Sequence, residues 1–396
     1  MTQVETIAGG FVLCSVAFSV YAYLGYPALL WALGLVTRRR LEGIREDVQW
    51  PLVSITACVY NEEHQIDGLI KSLLALDYPK DRIQILIISD ASTDRTDEIV
   101  RGYADQGVDL LRLGERGGKT KAENAAVRHL RGEIVINTDA SIRVASNAIK
   151  PLVATFADPE VGLASGRDVS VSAGEKGGNF GESSYVGYEM AIRDLETRVS
   201  GIVGASGCFY AIRPKLHRTL VPESLSRDFA AALHTREQGF RAVSVPGAVS
   251  QVPRTSSLHQ EYRRKVRTIT RGMETLYFKK ALLNPFRFGL FSWMLLSHKV
   301  FRWLVPWAAF AGLLGVAILS ASQGWARVVL AGSVLFLGLA WIGWRRGEDP
   351  RLPKIFAVPA FLVAGNLAVV HATKRVLRGD RNPVWEPTRR KAVDAS

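Results

Sequence analysis

Hydrophobic and polar positions divide the chain into an apolar start, an alternating middle and an apolar end. Ile7 to Val36 runs for thirty residues without a charge, and Arg38-Arg39-Arg40 follows at once. A bilayer core needs roughly 20 apolar residues, and Lys/Arg-rich flanks favour the cytoplasmic side. The pattern predicts a transmembrane helix within residues 1–40, with its amino terminus outside and the arginines inside. A signal peptide fits less well, because Thr2, Gln3, Val4 and Glu5 carry no positive charge and no short apolar region with a small-residue cleavage site follows.

After a polar linker from Leu41 to Trp50, the period changes to short β-type runs separated by helical ones. Leu52 to Tyr60 reads as a first strand, and Asn61-Glu62-Glu63 opens a helix with Ile66, Leu69, Ile70, Leu73 and Leu74 at helical spacing. The run from Gln84 reads as a buried parallel strand that empties into Asp90-Ala91-Ser92-Thr93-Asp94-Arg95-Thr96. A helix from Thr96 to Tyr103, a strand from Val108 to Leu113, a helix from Gly117 through Leu130 and a strand from Glu133 to Asn137 follow. Strand and helix alternating in this way predict an α/β domain, a Rossmann-like parallel sheet with helices on both faces and ligands at the carboxyl ends of its strands.

From Val161 to Gly204 the pattern loosens, and Gly174 to Gly181 is glycine-rich, as in a mobile loop. Helices are predicted over Tyr185–Arg198 and Asp228–Gly239. Strands are predicted after the small-residue turn at Gly204-Ala205-Ser206-Gly207 and over Ala242–Val252. Arg263 to Lys280 is a strongly basic helix with Glu274 as its one acidic residue.

The end is apolar again. Trp303 to Ala326 and Val328 to Trp344 are read as spans, Ile355 to Thr373 as a third candidate, and Phe286 to Leu296 as an interfacial helix. Basic residues flank Ile355–Thr373 on both sides, so the charge rule predicts that this segment is re-entrant or interfacial. The expected organisation is a transmembrane helix in 1–40, a cytosolic α/β domain in 51–260, basic and interfacial helices in 261–300, a membrane region in 301–375 and a basic tail in 376–396.

Composition changes this picture little. Hydrophobic residues make up 48% of the chain and charged residues 22%, and the formal charge is +13. Such a charge suits nucleic acid, anionic lipid or phosphate-bearing substrates. The basic helix adjoins membrane sequence, which argues for the lipid bilayer and against nucleic acid. Cys14, Cys58 and Cys208 lie far apart without metal-ligand spacing, so neither a disulfide framework nor a structural zinc site is expected.

Four polar stations carry the candidate chemistry. Asp90, at a strand end, is placed to accept from a base or ribose, whereas Asp94 either contacts ligand or caps the next helix. Gly117-Gly118-Lys119-Thr120-Lys121, with Asn124, suits phosphate at a helix start, although it lacks the spacing of a Walker A loop and also reads as an exposed basic turn. Asp139, followed by Ser141, ends a strand where a hard cation bridging a diphosphate would be held, or else caps a turn. Asp228, after Ser226-Arg227, stands on the first turn of an apolar helix, a place also used to compensate the helix dipole.

The order of these stations resembles glycosyltransferase family 2, whose members are inverting GT-A enzymes, and in particular its membrane-bound synthase-like branch (cellulose, hyaluronan and poly-N-acetylglucosamine synthases). "VSITACVYNEE" is similar to the family's first strand with nucleotide-facing Tyr60, Asn61 and Glu62. "SDASTDRT" is similar to its D-G-S-x-D turn and "GGKTKAEN" to its G-K-x-x-A-L-N segment. "NTDAS" sits at its D-x-D, "SRD" at its acidic T/E-E/D-D, and "EYRRKVRTITRG" at the Q-x-x-R-W of processive members. Ser141 replaces the second Asp of D-x-D, Arg227 replaces a Glu, and no Trp follows Arg267, so processive polymerisation is not implied.

The resemblance implies a nucleotide sugar, by family habit UDP-linked, and a saccharide or lipid-linked acceptor in cell-envelope or exopolysaccharide synthesis at the bacterial plasma membrane. Asp228 would be the general base. Asp139 and Ser141 would hold Mg²⁺ or Mn²⁺. Tyr60, Asn61, Glu62, Asp90, Lys119, Lys121, Asn124, Arg267 and Arg271 would bind the donor. The alternatives are a polyprenyl-phosphate sugar synthase and, from another class, a membrane transport or scaffold protein regulated by nucleotide.

Overall fold

The computed structural model describes residues 2–37, 49–171, 180–253, 257–349 and 352–380. The arginine triplet at 38–40, most of the linker, most of the glycine-rich stretch and the tail beyond Asp380 lie outside the described residues. In chain order the main elements are helix α1 (Gln3–Thr37), β1 (Val53–Val59), α2 (Ile66–Leu74), β2 (Ile83–Ser89), α3 (Thr96–Arg101), β3 (Val108–Arg112), α4 (Lys119–Ala126), β4 (Ile134–Asp139) and β5 (Arg143–Val144). They continue with α5 (Ile149–Ala154), β6 (Val161–Val171), α6 (Phe180–Val199), β7 (Phe209–Ile212), α7 (Arg227–Glu237), β8 (Arg241–Pro253) and α8 (Leu258–Phe278). The last three are α9 (Leu290–Leu319), α10 (Gly324–Arg345) and α11 (Lys354–Arg378).

The strands form one mixed sheet of order β3-β2-β1-β4-β7-β6-β8-β5. The first four are mutually parallel, with Val53 opposite both Ile83 and Ile134. β7 runs antiparallel to β4 and β6, β6 and β8 are parallel, and β5 is antiparallel to β8. β1 is buried along its whole length, as a central parallel strand covered on both faces must be. Its Val53, Ile55, Ala57 and Val59 pack against Ile66, Leu69, Ile70 and Leu73 of α2. On the other face Cys58 joins Leu86 and Ile88 against Ala122 and Ala126 of α4. Polar Ser54 is accommodated because its hydroxyl donates to Gln84 (2.6 Å) and accepts from the amide of Gly132 (2.7 Å).

The long β6 is the element the looser pattern hides. Two register shifts against β8 break its alternation, and Gly162 and Gly166 sit where a Cβ would strike Leu216 and Phe209.

Among the described residues, four helices are long and apolar enough to cross a membrane. Their limits correct the sequence reading. The span expected at Trp303–Ala326 begins at Leu290 and ends at Leu319, and the next begins at Gly324. The turn at 320–323 is made of uncharged residues and so was invisible in the charge pattern. The early start was hidden by His298, Lys299 and Arg302, two of which find carboxylate partners on α6. The interfacial helix expected at Phe286–Leu296 is divided by Gly289, whose φ of 56° ends the short helix Pro285–Phe288 before α9 begins. α11 is one unbroken 25-residue helix over Lys354–Arg378, long and apolar enough to cross a membrane.

α1 lies close against α9, where a Cβ on Gly315 would fall 2.6 Å from the carbonyl oxygen of Ala8. The end of α1 is tied to the α/β domain through Tyr26, which donates to Glu196 (2.6 Å), and Tyr188, which donates to the carbonyl of Tyr23 (2.6 Å). One apolar cluster runs from Tyr26 and Leu30 through Ile192 and Phe229 to Leu276, Phe291 and Met294. The long apolar helices α1 and α9 therefore share a core with α6, α7 and α8.

Candidate active site

Because β2, β1 and β4 are parallel, their carboxyl ends deliver Asp90, Tyr60 and Asp139 to one edge. The chain turns sharply there: Asn61 and Ala91 both adopt left-handed φ values, 51° and 58°. Asn61 is held by its own contacts, its side-chain carbonyl accepting from Thr93 N (2.8 Å) and its backbone N–H donating to Ser92 (3.2 Å). The backbone N–H of buried Glu62 donates to Thr96 Oγ1 (2.8 Å). Asp94 accepts from the amides of Thr96 and Glu63, so it fixes the entry to α3. The Arg116 guanidinium lies over the Tyr60 ring at 3.7 Å.

Asp90 is buried, and its two oxygens accept from the amides of Gly117 (2.8 Å) and Gly118 (2.7 Å). It acts on the glycine turn, and Gly118 with φ 87° lets the backbone bend back into α4. Lys119 then points inward. Its Nζ donates to Asp139 (2.5 Å) and to the carbonyl of Gly207 (3.0 Å), with Glu123 at 3.9 Å. Burial opposes the charge of Lys119, but Asp139 and Glu123 outweigh it and hold its pKa well above the usual lysine range. Lys121 points outward to Glu115.

Asp228 comes to the same place from the other half of the chain. Its Oδ1 accepts from Ser226 Oγ (2.5 Å), and a Cβ on Gly207 would lie 2.9 Å from its Oδ2. Gly207 thus separates Asp228 from the Lys119–Asp139 pair, and only glycine leaves room there. Behind them, buried Arg227 bonds Glu123 (2.8 Å), the carbonyl of His217 (2.7 Å) and Asn124.

Asn124 and Arg271 serve the 221–225 loop. Asn124 donates to the carbonyl of Val221 (2.9 Å), and Arg271 donates to those of Glu223, Ser224 and Leu225 (3.0, 3.2 and 2.8 Å). Burial lowers the pKa of Arg271 from its usual value. Arg267 lies one turn earlier on α8, and Ser141 lies in the turn after β4. The structure therefore brings together Asp90, Lys119, Asp139 and Asp228, and directs Lys121, Asn124 and Arg271 elsewhere. Sequence reasoning missed Glu123 and Arg116, and named Ser226 only as part of the Ser226-Arg227-Asp228 station. The one available signal was the four-residue step from Lys119 to Glu123 on a helix face.

A hard divalent cation takes few protein carboxylates and completes its shell with phosphate and water. Asp139 offers one carboxylate, and the described residues hold no group of three His, Cys, Asp or Glu suited to a metal. The donor set fits a cation shared with a diphosphate and does not fit a cage of protein ligands alone.

Residues 54–219 match the family model described as Glycosyl transferase family 2. The chain is 32% identical over 178 residues to a beta-monoglucosyldiacylglycerol synthase of Nostoc sp., covering 43% of this chain and 38% of that protein. It is 31% identical over 123 residues to an N-acetylglucosaminyltransferase of Rhizobium sp., covering 30% and 27%. The matches thus span well under half the length of these curated relatives. A mannosyltransferase from Pyrobaculum calidifontis, solved with GDP-Man and Mn²⁺, superposes with a TM-score of 0.71 at 22% identity, covering 94% of this chain and 100% of that one. At that identity the likeness speaks for the fold, which is GT-A. The sheet and the ordered stations on its carboxyl edge thus lie largely within the segment, residues 54–219, that matches the family 2 glycosyl transferase model.

Proposed function

We propose that the protein is an inverting membrane glycosyltransferase that moves a sugar from a nucleotide sugar to a saccharide or lipid-linked acceptor in cell-envelope or exopolysaccharide synthesis. The observation that carries this reading is the convergence of Lys119, Asp139 and Asp228 around Gly207, beside the membrane helices. The donor is UDP-linked by family habit.

Asp228 takes the proton of the acceptor hydroxyl, with Ser226 holding one of its oxygens in place. Positioned general bases contribute about 10²- to 10⁴-fold. Lys119 meets the charge that grows on the departing diphosphate, and Asp90 keeps the Gly117–Gly118 backbone turned so that Lys119 faces it. Tyr60, Asn61 and Glu62 line the nucleotide side, and Arg267 supplies further positive charge. Asp139, with Ser141, would hold Mg²⁺ or Mn²⁺, which would neutralise the diphosphate oxygens as a Lewis acid. The catalytic domain faces the cytoplasm of a bacterial plasma membrane, in keeping with the arginine triplet after α1.

The test is a screen of nucleotide sugars with the purified full chain in lipid, read by free nucleoside diphosphate and by the mass of glycosylated products. Release with one donor class, rising when acceptor lipid is added, is expected. Nucleotide binding without release from any donor would favour a regulated transport or scaffold protein.

A further inference from the structure

The small-residue turn before β7 touches three groups that the proposed reaction uses. The Gly207 carbonyl accepts from Lys119 (3.0 Å), and a Cβ on Gly207 would lie 2.9 Å from Asp228 Oδ2. The Cys208 carbonyl accepts from the amide of Asp139 (3.2 Å). Gly204 and Gly207 bring no side chain to hold such a turn, and glycine loses more backbone freedom on ordering than any other residue. The one hydroxyl in Gly204-Ala205-Ser206-Gly207-Cys208 is that of Ser206, which is buried. Its amide donates to Ser165 Oγ (2.8 Å), and its hydroxyl accepts from the amide of Cys208 (3.1 Å).

The proton of that hydroxyl goes to Asp168, both of whose carboxylate oxygens lie 2.8 Å from Ser206 Oγ. Donation to a carboxylate is charge-assisted and stronger than donation to a neutral acceptor. It turns the proton away from the loop and leaves a lone pair of Ser206 for the Cys208 amide. Asp168 is itself held by Ser250 Oγ (3.2 Å). Since β7 is antiparallel to both β4 and β6, and β8 is parallel to β6, the strands β4, β6 and β8 point the same way. Asp168, in the carboxyl half of β6, and Ser250, late in β8, therefore stand toward the same edge of the sheet as Asp139. Asp168 is half-buried, and the reaction above leaves it unused.

We propose that Asp168 is a positioning residue for the transfer: acting through Ser206, it sets the Gly207 carbonyl against Lys119 and the Gly207 backbone against Asp228. This rests on the transferase reading and deepens it. Without Asp168 the Ser206 hydroxyl is free to rotate, the Cys208 amide loses its acceptor, and the turn between Lys119 and Asp228 relaxes. A shift of about 1 Å in such a place costs about 10²-fold in rate.

The test compares Asp168→Ala, Asp168→Asn, Ser206→Ala and the double variant Asp168→Ala/Ser206→Ala in the full chain with lipid, using the donor that the screen identifies. Each single alanine variant should lower kcat by about 10²-fold and leave the donor KM within about a factor of three. The double variant should be no slower than either single one, because both remove the same link. Asp168→Asn should regain most of the rate, since its amide oxygen still accepts from Ser206. An asparagine variant as slow as the alanine one, or losses that multiply in the double variant, would overturn the proposal and give the carboxylate a direct part with substrate. Amide hydrogen exchange of the peptide Gly204–Phe209 is read without turnover. Both alanine variants should speed it while β1 and β2 exchange as in the wild type. Unchanged exchange in that peptide would overturn the proposal, and so would faster exchange throughout the sheet, which would make Asp168 a support of the fold alone. Wild type that releases no diphosphate from any donor would reject the transferase reading, a result separate from the exchange at the turn.

Discussion

Lys119 is the residue on which the site turns. It crosses the gap between α4 and β4 to join Asp139, Glu123 and the carbonyl of Gly207, each from a different part of the chain. Since its pKa is held well above the ordinary lysine value, it stays cationic through the neutral and mildly alkaline range. Lys119→Met should lower turnover by about 10²- to 10³-fold, the usual effect of removing one group that stabilises developing negative charge, and should leave no alkaline limb attributable to this residue. A pH profile of wild type and variant checks both. Glu123 is in the opposite situation: burial raises its pKa, and Lys119 and Arg227 pull it back only in part. Asp90, Lys119, Asp139 and Asp228 could be picked out from sequence because each sits where a predicted strand ends or a helix begins. Glu123 and Arg116 could not, because their roles exist only once distant segments meet.

At the scale of elements, the clamp between α6 and the membrane helices is the feature least visible beforehand. His298 and Arg302 interrupted an apolar run and so seemed to lie outside a span, yet Glu189 and Glu196 supply their counter-charges from α6. Burial alone would raise the carboxyl of Glu189, but His298 and Arg302 prevail and hold it well below the ordinary range. A carboxylate depressed in the folded state stabilises above its unfolded pKa and loses that contribution as pH falls through its folded value. Thermal stability should therefore fall as pH drops below about 4, where unfolded carboxylates begin to protonate. Glu189→Gln should flatten part of that fall and lower stability at neutral pH by about 3 kcal/mol, because it leaves buried partners uncompensated. Melting curves in detergent at several pH values measure both effects. β6 was missed for another reason: its register shifts and glycines erase the period of two on which recognition of a strand depends.

For the whole molecule, the alternation from β1 to β4 was readable because each strand is followed by its own crossover helix and local periodicity carries the topology. The second half was less so, since β7 inserts between β4 and β6 and turns the sheet antiparallel through pairings distant in sequence. That insertion has a functional consequence. It brings Gly207, two residues before β7, between Asp139 of the first half and Asp228 of the second, and so builds one site from both. Phe229, next to Asp228 in the chain, packs in one core with Tyr26 of α1 and Phe291 of α9, which ties the site to these long apolar helices. The most direct measurement of this account is turnover of Asp228→Asn beside its donor affinity. Transfer should fall by about 10²-fold or more while the nucleotide sugar binds as in the wild type. Near-normal transfer by the variant would contradict the account.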